Sequence, residues 1–337
     1  MRIRLLLLTL LMASCTPDPD PLFAPYDGNH LPGAAVMVIQ NGQVAHEAVY
    51  GMADLASGVA VNRDTNFRLA SVTKQFTATA ILLLVKDGLI SLDEPAHQIL
   101  DDLPSVADSV TVRHLLQHQS GLLDYENLMA DDHEGQVHDR DVLDLIGTTD
   151  SLYFAPGTGY AYSNTGYALL ALMVERRSGQ FFPDFLATRI FSPLGMERTV
   201  AFVDGVNSVP NRAFGYVVDG DSVTFRDQSS TSAVLGDGGI YSSIADLQRW
   251  DAALDTDRLL PDSLRTLMVT PGLEDYGFGW RIDTFSGHRR YGHTGSTSGF
   301  RNVIHRYPDL GLSVIILTNR AAPDVAELAE QLATRYF

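Results

Sequence analysis

Ser71 and Lys74 stand three residues apart in the stretch LASVTKQFTA, a pair of types and spacing that can do nucleophilic chemistry. Lysine is scarce in this chain: Lys74 and Lys86 are set against twenty-two arginines. Arginine cannot lose its proton in a protein, whereas lysine can. A lysine kept against that bias is suited to work as a base. Phe76, Ala80, Leu83 and Leu84 repeat at helical spacing and Gly88 is a natural stop, which predicts a buried helix opening near Ser71. Residues three apart share one helical face, so the Lys74 amine reaches the Ser71 hydroxyl. A serine is a weak nucleophile until a base takes its proton. The helix N-terminus also leaves backbone N–H groups free for a developing oxyanion.

Two further stretches fit the same chemistry. PGTGYAYSNTGY supplies Tyr162-Ser163-Asn164, and YGHTGSTSG supplies His293-Thr294-Gly295 on a strand edge. With SVTK they resemble the motif set of the serine β-lactamase and penicillin-binding protein superfamily, of which Ser-x-x-Lys, Ser-Asp-Asn and Lys-Thr-Gly is a neighbouring version. The tyrosine in the second element resembles the branch that holds class C β-lactamases, DD-carboxypeptidases, D-aminopeptidases and related esterases. RHLLQHQSGL, FSPLGM, GDGGIYSSIADLQRW and GLSVIILTN are also similar to segments of that family. The resemblance runs over roughly residues 30 to 335.

The resemblance implies an acyl-enzyme on Ser71, with Lys74 and Tyr162 sharing the general base and acid work. It implies that Asn164 hydrogen-bonds Lys74 and the substrate, and that the amides of Ser71 and Ser296 form the oxyanion hole. His293, Thr294 and Gly295 would line the substrate, with Gly295 letting it lie against the strand edge. It implies no metal and no cofactor. His293 departs from the pattern, because many β-lactamases and carboxypeptidases have a lysine there that binds a substrate carboxylate. Histidine near pH 7 is mostly neutral by default. The expected substrate is therefore a small ester, amide or peptide, handled by an esterase, amidase or D-amino-acid peptidase. The alternatives are a DD-carboxypeptidase or β-lactamase and, from another class, a non-catalytic protein that binds wall fragments or β-lactams.

The elements that must position these residues can be read along the chain. GAAVMVI, Asn41-Gly42 and the run from Gln43 to Tyr50 form a hairpin signal. Residues 93 to 234 look mostly helical, with Thr111, Asp139 and Ser163 or Asn164 as caps. A serine pair precedes IADLQRWDAAL. Then YGFGWRI, HRRYGHTG, FRNVIHRY and GLSVIILTN are strand-like, and a last helix runs from about Asp324 to Arg335. The expected fold class is α+β and β-lactamase/DD-peptidase-like: a mainly antiparallel sheet flanked by helices, with a helical second lobe. Residues 28–92 and 235–337 would make the α/β part of one domain, and 93–234 its helical insert.

The N-terminus, MRIRLLLLTLLMASC, pairs Arg2 and Arg4 with an apolar run too short to span a bilayer. It resembles a bacterial lipoprotein signal, residues 1–14, cut before Cys15, the chain's single cysteine. Met12 takes the place of the usual leucine. Residues 15–27, proline-rich and polar, are expected to be a tether. The expected location is the bacterial cell envelope, with a lipid anchor on Cys15 as the contact with the membrane. The net charge is −17 over 337 residues, without a basic patch, which argues against nucleic acid as a partner.

Other signatures are weaker. His114 and His118, four apart on a helix, could bind a metal, but no third ligand or zinc-protease glutamate accompanies them, and a packed pair is the better reading. His133 and His138 with Asp131 and Asp132 look like a solvated loop. No Gly-x-Ser-x-Gly elbow occurs, and Gly220-Asp221-Ser222 falls in a turn. One outcome follows from the opening pair. Lys74→Arg, a permanent cation, should lower kcat on an activated ester by about two to four orders of magnitude. Full retention of rate with folded protein would remove Lys74 from the chemistry.

Overall fold

The computed structural model describes residues 20–130 and 132–337. A six-stranded sheet forms the centre: β1 (Ala34–Gln40), β2 (Gln43–Tyr50), β3 (Arg281–Phe285), β4 (His288–Thr297), β5 (Phe300–Tyr307) and β6 (Leu312–Thr318). Its order is β3-β4-β5-β6-β1-β2, and every neighbouring pair is antiparallel. The two ends of the chain therefore meet where β6 pairs with β1, from Ala34 opposite Thr318 to Gln40 opposite Leu312. Asn41 and Gly42 join β1 to β2 with φ of +51° and +75°, the conformation of a two-residue hairpin loop.

Both faces of this sheet are covered. Ala35, Met37 and Ile39 of β1 pack in one cluster with α1 (Lys74–Lys86) and α5 (Ile244–Ala253). Ala34, Val36 and Val38 pack in another with α6 (Val325–Ala333). A strand buried on both sides has no polar alternation, which is why GAAVMVI and GLSVIILTN are apolar runs. In α1 the residues from Lys74 to Leu84 are all buried, as its all-round apolar sequence demands.

The middle of the chain holds α2 (Val112–Leu116), α3 (Asp139–Gly147) and α4 (Asn164–Ser178). Thr111 caps α2, Ser163 caps α4 and Ser243 caps α5, as their positions predict. Asp139 does not cap α3. His138 is the N-cap, and the buried Asp139 carboxylate instead accepts the amides of Leu235 and Gly236 at 2.9 and 3.0 Å. The insert is also less helical than expected, because Val200–Ala201 and the hairpin Tyr216–Asp219/Ser222–Phe225 are strands. Ser222–Phe225 is exposed throughout, so no core face imposes a period on it. Of YGFGWRI only the end is strand. Gly279 turns at φ +77°, and its Cα packs so close to α1 that an added Cβ would sit 2.7 Å from the Lys74 carbonyl oxygen.

The expected tether, 15–27, needs correction in its second half. Pro21–Tyr26 is a 3₁₀ turn whose Phe23 and Tyr26 are fully buried, with Phe23 stacked on Tyr50 at 5.3 Å between centroids. Asp20 pairs with Arg335 near the other end of the chain. Two aromatic side chains among prolines are enough to fix this segment on the sheet. Residues 1–19, with the expected signal and Cys15, lie outside the described residues.

A small second sheet places the Ser71 turn. Phe67–Arg68 pairs with Ile240–Ser242, which pairs with Val200–Ala201. The Leu69 amide donates to the Ile240 carbonyl at 2.8 Å, and Asn302 Nδ2 of β5 donates to the Arg68 carbonyl at 2.7 Å. Gly295 of β4 backs directly onto this turn, where an added Cβ would meet the Leu69 carbonyl oxygen at 2.0 Å. Gly295→Ala must therefore push β4 and the turn apart. Thermal unfolding should show a loss of about 1–3 kcal/mol, accompanied by slower acylation of Ser71; an unchanged melting temperature would contradict this packing.

Candidate active site

Ser71 lies in a 3₁₀ turn, Ala70–Thr73, that runs straight into α1. Ala70 before it has φ of +50°, a left-handed conformation that a residue with a Cβ adopts only under constraint. Lys74 opens α1 and is fully buried. Its Nζ lies 3.2 Å from Ser71 Oγ, 2.8 Å from Asn164 Oδ1 and 3.0 Å from the Asp237 carbonyl oxygen. The last two oxygens can only accept, so they commit two hydrogens of the amine. The remaining position on nitrogen faces Ser71. With a third hydrogen Lys74 donates to the serine; without it, Lys74 accepts the serine's proton.

Asn164 is fixed from its other side. Its amide N–H donates to Asp124 Oδ2 at 2.7 Å, and its side-chain Nδ2 donates to Glu126 Oε1 at 3.0 Å. Burial, reinforced by the nearby Asp124 charge, raises the Glu126 carboxyl above its ordinary range. Behind Lys74, burial pushes Asp237 up to about 7, with the Lys74 charge opposing. Tyr125 Oη donates to Asp237 Oδ2 at 3.4 Å. Asp139 is likewise pushed up to about 7 by burial, against the pull of the Gly236 and Leu235 amides.

The Tyr162 ring lies 5.0 Å from Lys74 Nζ and 5.6 Å from the Arg281 guanidinium. Ser71, Lys74, Tyr162 and Asn164 are thus brought together from the turn that leads into α1, the first residue of α1 and the entry to α4. His293 lies 6.2 Å from Tyr162 between ring centroids. It is buried, its Nδ1 lies 2.6 Å from the Thr294 carbonyl, and its Nε2 lies 2.9 Å from Tyr276 Oη. The carbonyl can only accept, so Nδ1 carries the proton and Nε2 accepts from the tyrosine. Burial, with the Lys74 charge, lowers this histidine to about 3. At the expected substrate-binding position, the structure thus places a histidine that is buried and bonded at both nitrogens.

Thr294 and Ser296 are exposed. The β3 partner of β4 stops at Arg281 opposite Gly292, so β4 runs beyond β3 from His293 to Thr297. Thr297 and Phe300 close a two-residue loop and share hydrogen bonds, which turns the amides of Ser296 and Thr294 away from β5. They face the side on which β3 has ended. Arg281 stands at that end, an exposed cation over the rings of Tyr162 and Tyr276. Arg281, Glu126 and Asp237 were not among the residues that the sequence singled out. The only sequence signal for Arg281 is its position just ahead of the hairpin that carries His293.

The two histidines of α2 and its end do separate work. His114 Nδ1 accepts from the Thr111 amide at 3.2 Å, and His118 Nδ1 accepts from the Ser163 amide at 3.1 Å. Among the described residues no group of three or more His, Cys, Asp or Glu is placed to hold a metal ion.

Comparison with known proteins identifies the family. A family model described as Beta-lactamase matches residues 20–335. The chain belongs to the beta-lactamase family. This member is 32% identical to penicillin-binding protein 4* of Bacillus subtilis over 321 residues, 89% of this chain and 70% of that protein. It is 32% identical to the D-aminopeptidase of Gluconobacter oxydans, covering 90% of this chain but only 58% of that protein. Among solved structures, this family member superposes on the D-amino acid amidase from Ochrobactrum anthropi SV3 with a TM-score of 0.77, at 26% identity and over 93% of this chain and 98% of that one. The octameric penicillin-binding protein homologue from Pyrococcus abyssi gives a TM-score of 0.80 at 25% identity, over 90% of this chain and 73% of that one. These likenesses confirm the expected α+β fold and mark this beta-lactamase family member as a serine hydrolase.

The raised carboxyl of Asp139 has a measurable consequence for this family member. A carboxyl whose folded pKa lies above its unfolded value stabilises the fold at low pH, and that contribution is lost as pH rises through about 7. Asp139→Asn removes the titration. The melting temperature of the variant relative to wild type should therefore be higher at about pH 8 than at about pH 5. A difference that does not change with pH would mean that Asp139 ionises as an ordinary carboxyl.

Proposed function

We propose that this protein cleaves an amide or ester of a D-amino acid, through an acyl-enzyme on Ser71, in the bacterial cell envelope. The observation that carries the reading is the Lys74 amine, buried, held by two carbonyl oxygens and left with one position facing Ser71 Oγ at 3.2 Å. In the proposed cycle Ser71 Oγ attacks the substrate carbonyl as its proton passes to Lys74 or Tyr162. The amides of Ser71 and Ser296 stabilise the oxyanion. The tetrahedral intermediate collapses and its leaving amine or alcohol takes that proton. Water then attacks the acyl carbon, its proton passing to the same pair and on to Ser71 Oγ as the C–Oγ bond breaks and the acid leaves.

The substrate class rests on charge. Glu126, bonded to Asn164 beside the nucleophile, suits the free ammonium of an N-terminal residue. No lysine stands at position 293, and His293 is neutral and already bonded, so the usual anchor for a carboxylate is missing. Relatives named D-aminopeptidase and D-amino acid amidase support this choice. One observation favours a second reading. Arg281 at the end of β3 is an exposed cation beside the Tyr162 ring, a group able to take a C-terminal carboxylate, which would suit a DD-carboxypeptidase. The lipoprotein-like leader, residues 1–14, followed by Cys15, supports a membrane anchor at the envelope surface.

Intact mass of the full-length protein in detergent tests the chemistry, using a fluorophosphonate and a penicillin separately. Wild type should gain one fluorophosphonate group and Ser71→Ala none; a label that survives in Ser71→Ala defeats the assignment. Rates on D-alanine p-nitroanilide and on a peptide ending in D-Ala-D-Ala decide the substrate. The nitroanilide should be preferred, with Arg281→Gln changing its rate by less than about threefold. Preference for the peptide, lost in Arg281→Gln, together with a lasting penicillin adduct, would replace the first reading by the second.

A further inference from the structure

We infer that His118 is the residue that positions Tyr162, holding the chain on both sides of it. The inference rests on reading Tyr162 as part of the proton-transfer machinery. The Ala161 amide donates to the His118 carbonyl oxygen at 3.0 Å, and the Ser163 amide donates to His118 Nδ1 at 3.1 Å. Between these two bonds the imidazole lies against the Tyr162 ring, 4.3 Å between centroids and 39° between planes. One residue thus binds the backbone before Tyr162, the backbone after it and the ring itself.

His118 holds this place against two local penalties. It sits just past the end of α2 at φ +58°, a left-handed position where helices ordinarily stop on glycine or asparagine. Its Nε2 is buried and has no hydrogen-bond partner among the described residues. The donation from Ser163 requires Nδ1 to be bare, so the proton of the neutral ring rests on that Nε2. The left-handed backbone would be relieved by asparagine. What asparagine lacks is the ring, which packs among Tyr160, Tyr162, Tyr167 and Tyr276. Burial, reinforced by the Lys74 charge, keeps the imidazole neutral and Nδ1 available to Ser163. The same contacts bind the two motif regions together. Ser163 is the N-cap of α4, and the next residue, Asn164, bonds Lys74. His118 therefore sets the approach of Tyr162 to Lys74 from behind, without touching either Ser71 or the substrate.

Two substitutions separate the acceptor from the ring. His118→Phe keeps an aromatic face and leaves the Ser163 amide without an acceptor. His118→Asn returns an acceptor near the Nδ1 position and tolerates the left-handed backbone. Full-length protein would be assayed on a p-nitrophenyl ester for kcat and KM, with folding followed by circular dichroism. His118→Phe should lower kcat about 100-fold with KM within about threefold, since a displaced catalytic group costs rate more than binding. His118→Asn should recover kcat to within about tenfold of wild type. In a Tyr162→Phe background, His118→Phe should cost less than about threefold more, because there is no longer a phenol to position. An undiminished kcat in His118→Phe, or an equal loss in both backgrounds, overturns the inference. If His118→Phe does not fold, His118→Asn is read in both backgrounds: a larger loss of kcat in wild type than in Tyr162→Phe supports the inference, and no loss or an equal loss in both overturns it. A wild type that takes no fluorophosphonate overturns the serine-hydrolase reading as well; a labelled wild type with indifferent His118 variants overturns this inference only.

Discussion

The site depends on one constraint: a single amine is buried where three oxygens from distant parts of the chain converge on it. Ser71 comes from the turn before α1, Asn164 from the start of α4 and the Asp237 carbonyl from the segment that leads to Ile240. A buried ammonium or amine without partners is costly, so each oxygen must be in place before Lys74 can be accommodated. The partners carry their own supports. Asn164 is held by Asp124 and Glu126, and the Asp237 segment by Asp139 and Thr77, whose hydroxyl donates to the Gly236 carbonyl at 2.7 Å. The three segments therefore assemble around the amine as a unit.

The central sheet makes that assembly stiff. β4 and β5 grip the chain at Leu69 and Arg68, through the absent side chain of Gly295 and the amide of Asn302. On the other side Phe67–Arg68 is tied into the small sheet with Ile240–Ser242. The strained φ at Ala70 persists because the chain is fixed immediately before and after it. Precision at Ser71 comes from regular structure, while the loop residues Asp124 and Glu126 act one contact further out.

The parts of this design that are local in sequence were legible there. Ser71 and Lys74 announce themselves by helical spacing and by the scarcity of lysine. Tyr162 and Asn164 stand next to a helix cap, and the Asn41-Gly42 hairpin and the apolar strands follow from turn chemistry and burial. What stayed hidden arises between segments. Asp139 looks like a cap because it opens an amphipathic run, and only the fold shows Leu235 and Gly236 arriving to claim its carboxylate. Arg281 looks like any strand arginine until β3 ends beside Tyr162. His293 looks like a group offered to a substrate, yet Tyr276 and the Thr294 carbonyl take both its nitrogens. Phe23 and Tyr26 were hidden by the prolines around them, since a polar, proline-rich composition describes a linker and also a short turn pinned by two rings.

The overhang of β4 beyond β3 carries a consequence of its own. A sheet margin offers amides at a fixed repeat, and a guest chain must lie along it extended. In an extended guest, successive substituents point to opposite sides of the margin, one towards the wall made by Tyr162 and Arg281 and the other away from it. Inverting a single α-carbon exchanges a hydrogen for a side chain on the crowded side while the backbone contacts stay the same. If substrate docks there as the proposed function requires, the margin would distinguish mirror images by steric exclusion, with no group dedicated to that purpose, and chiral discrimination would be a property of where a strand happens to stop.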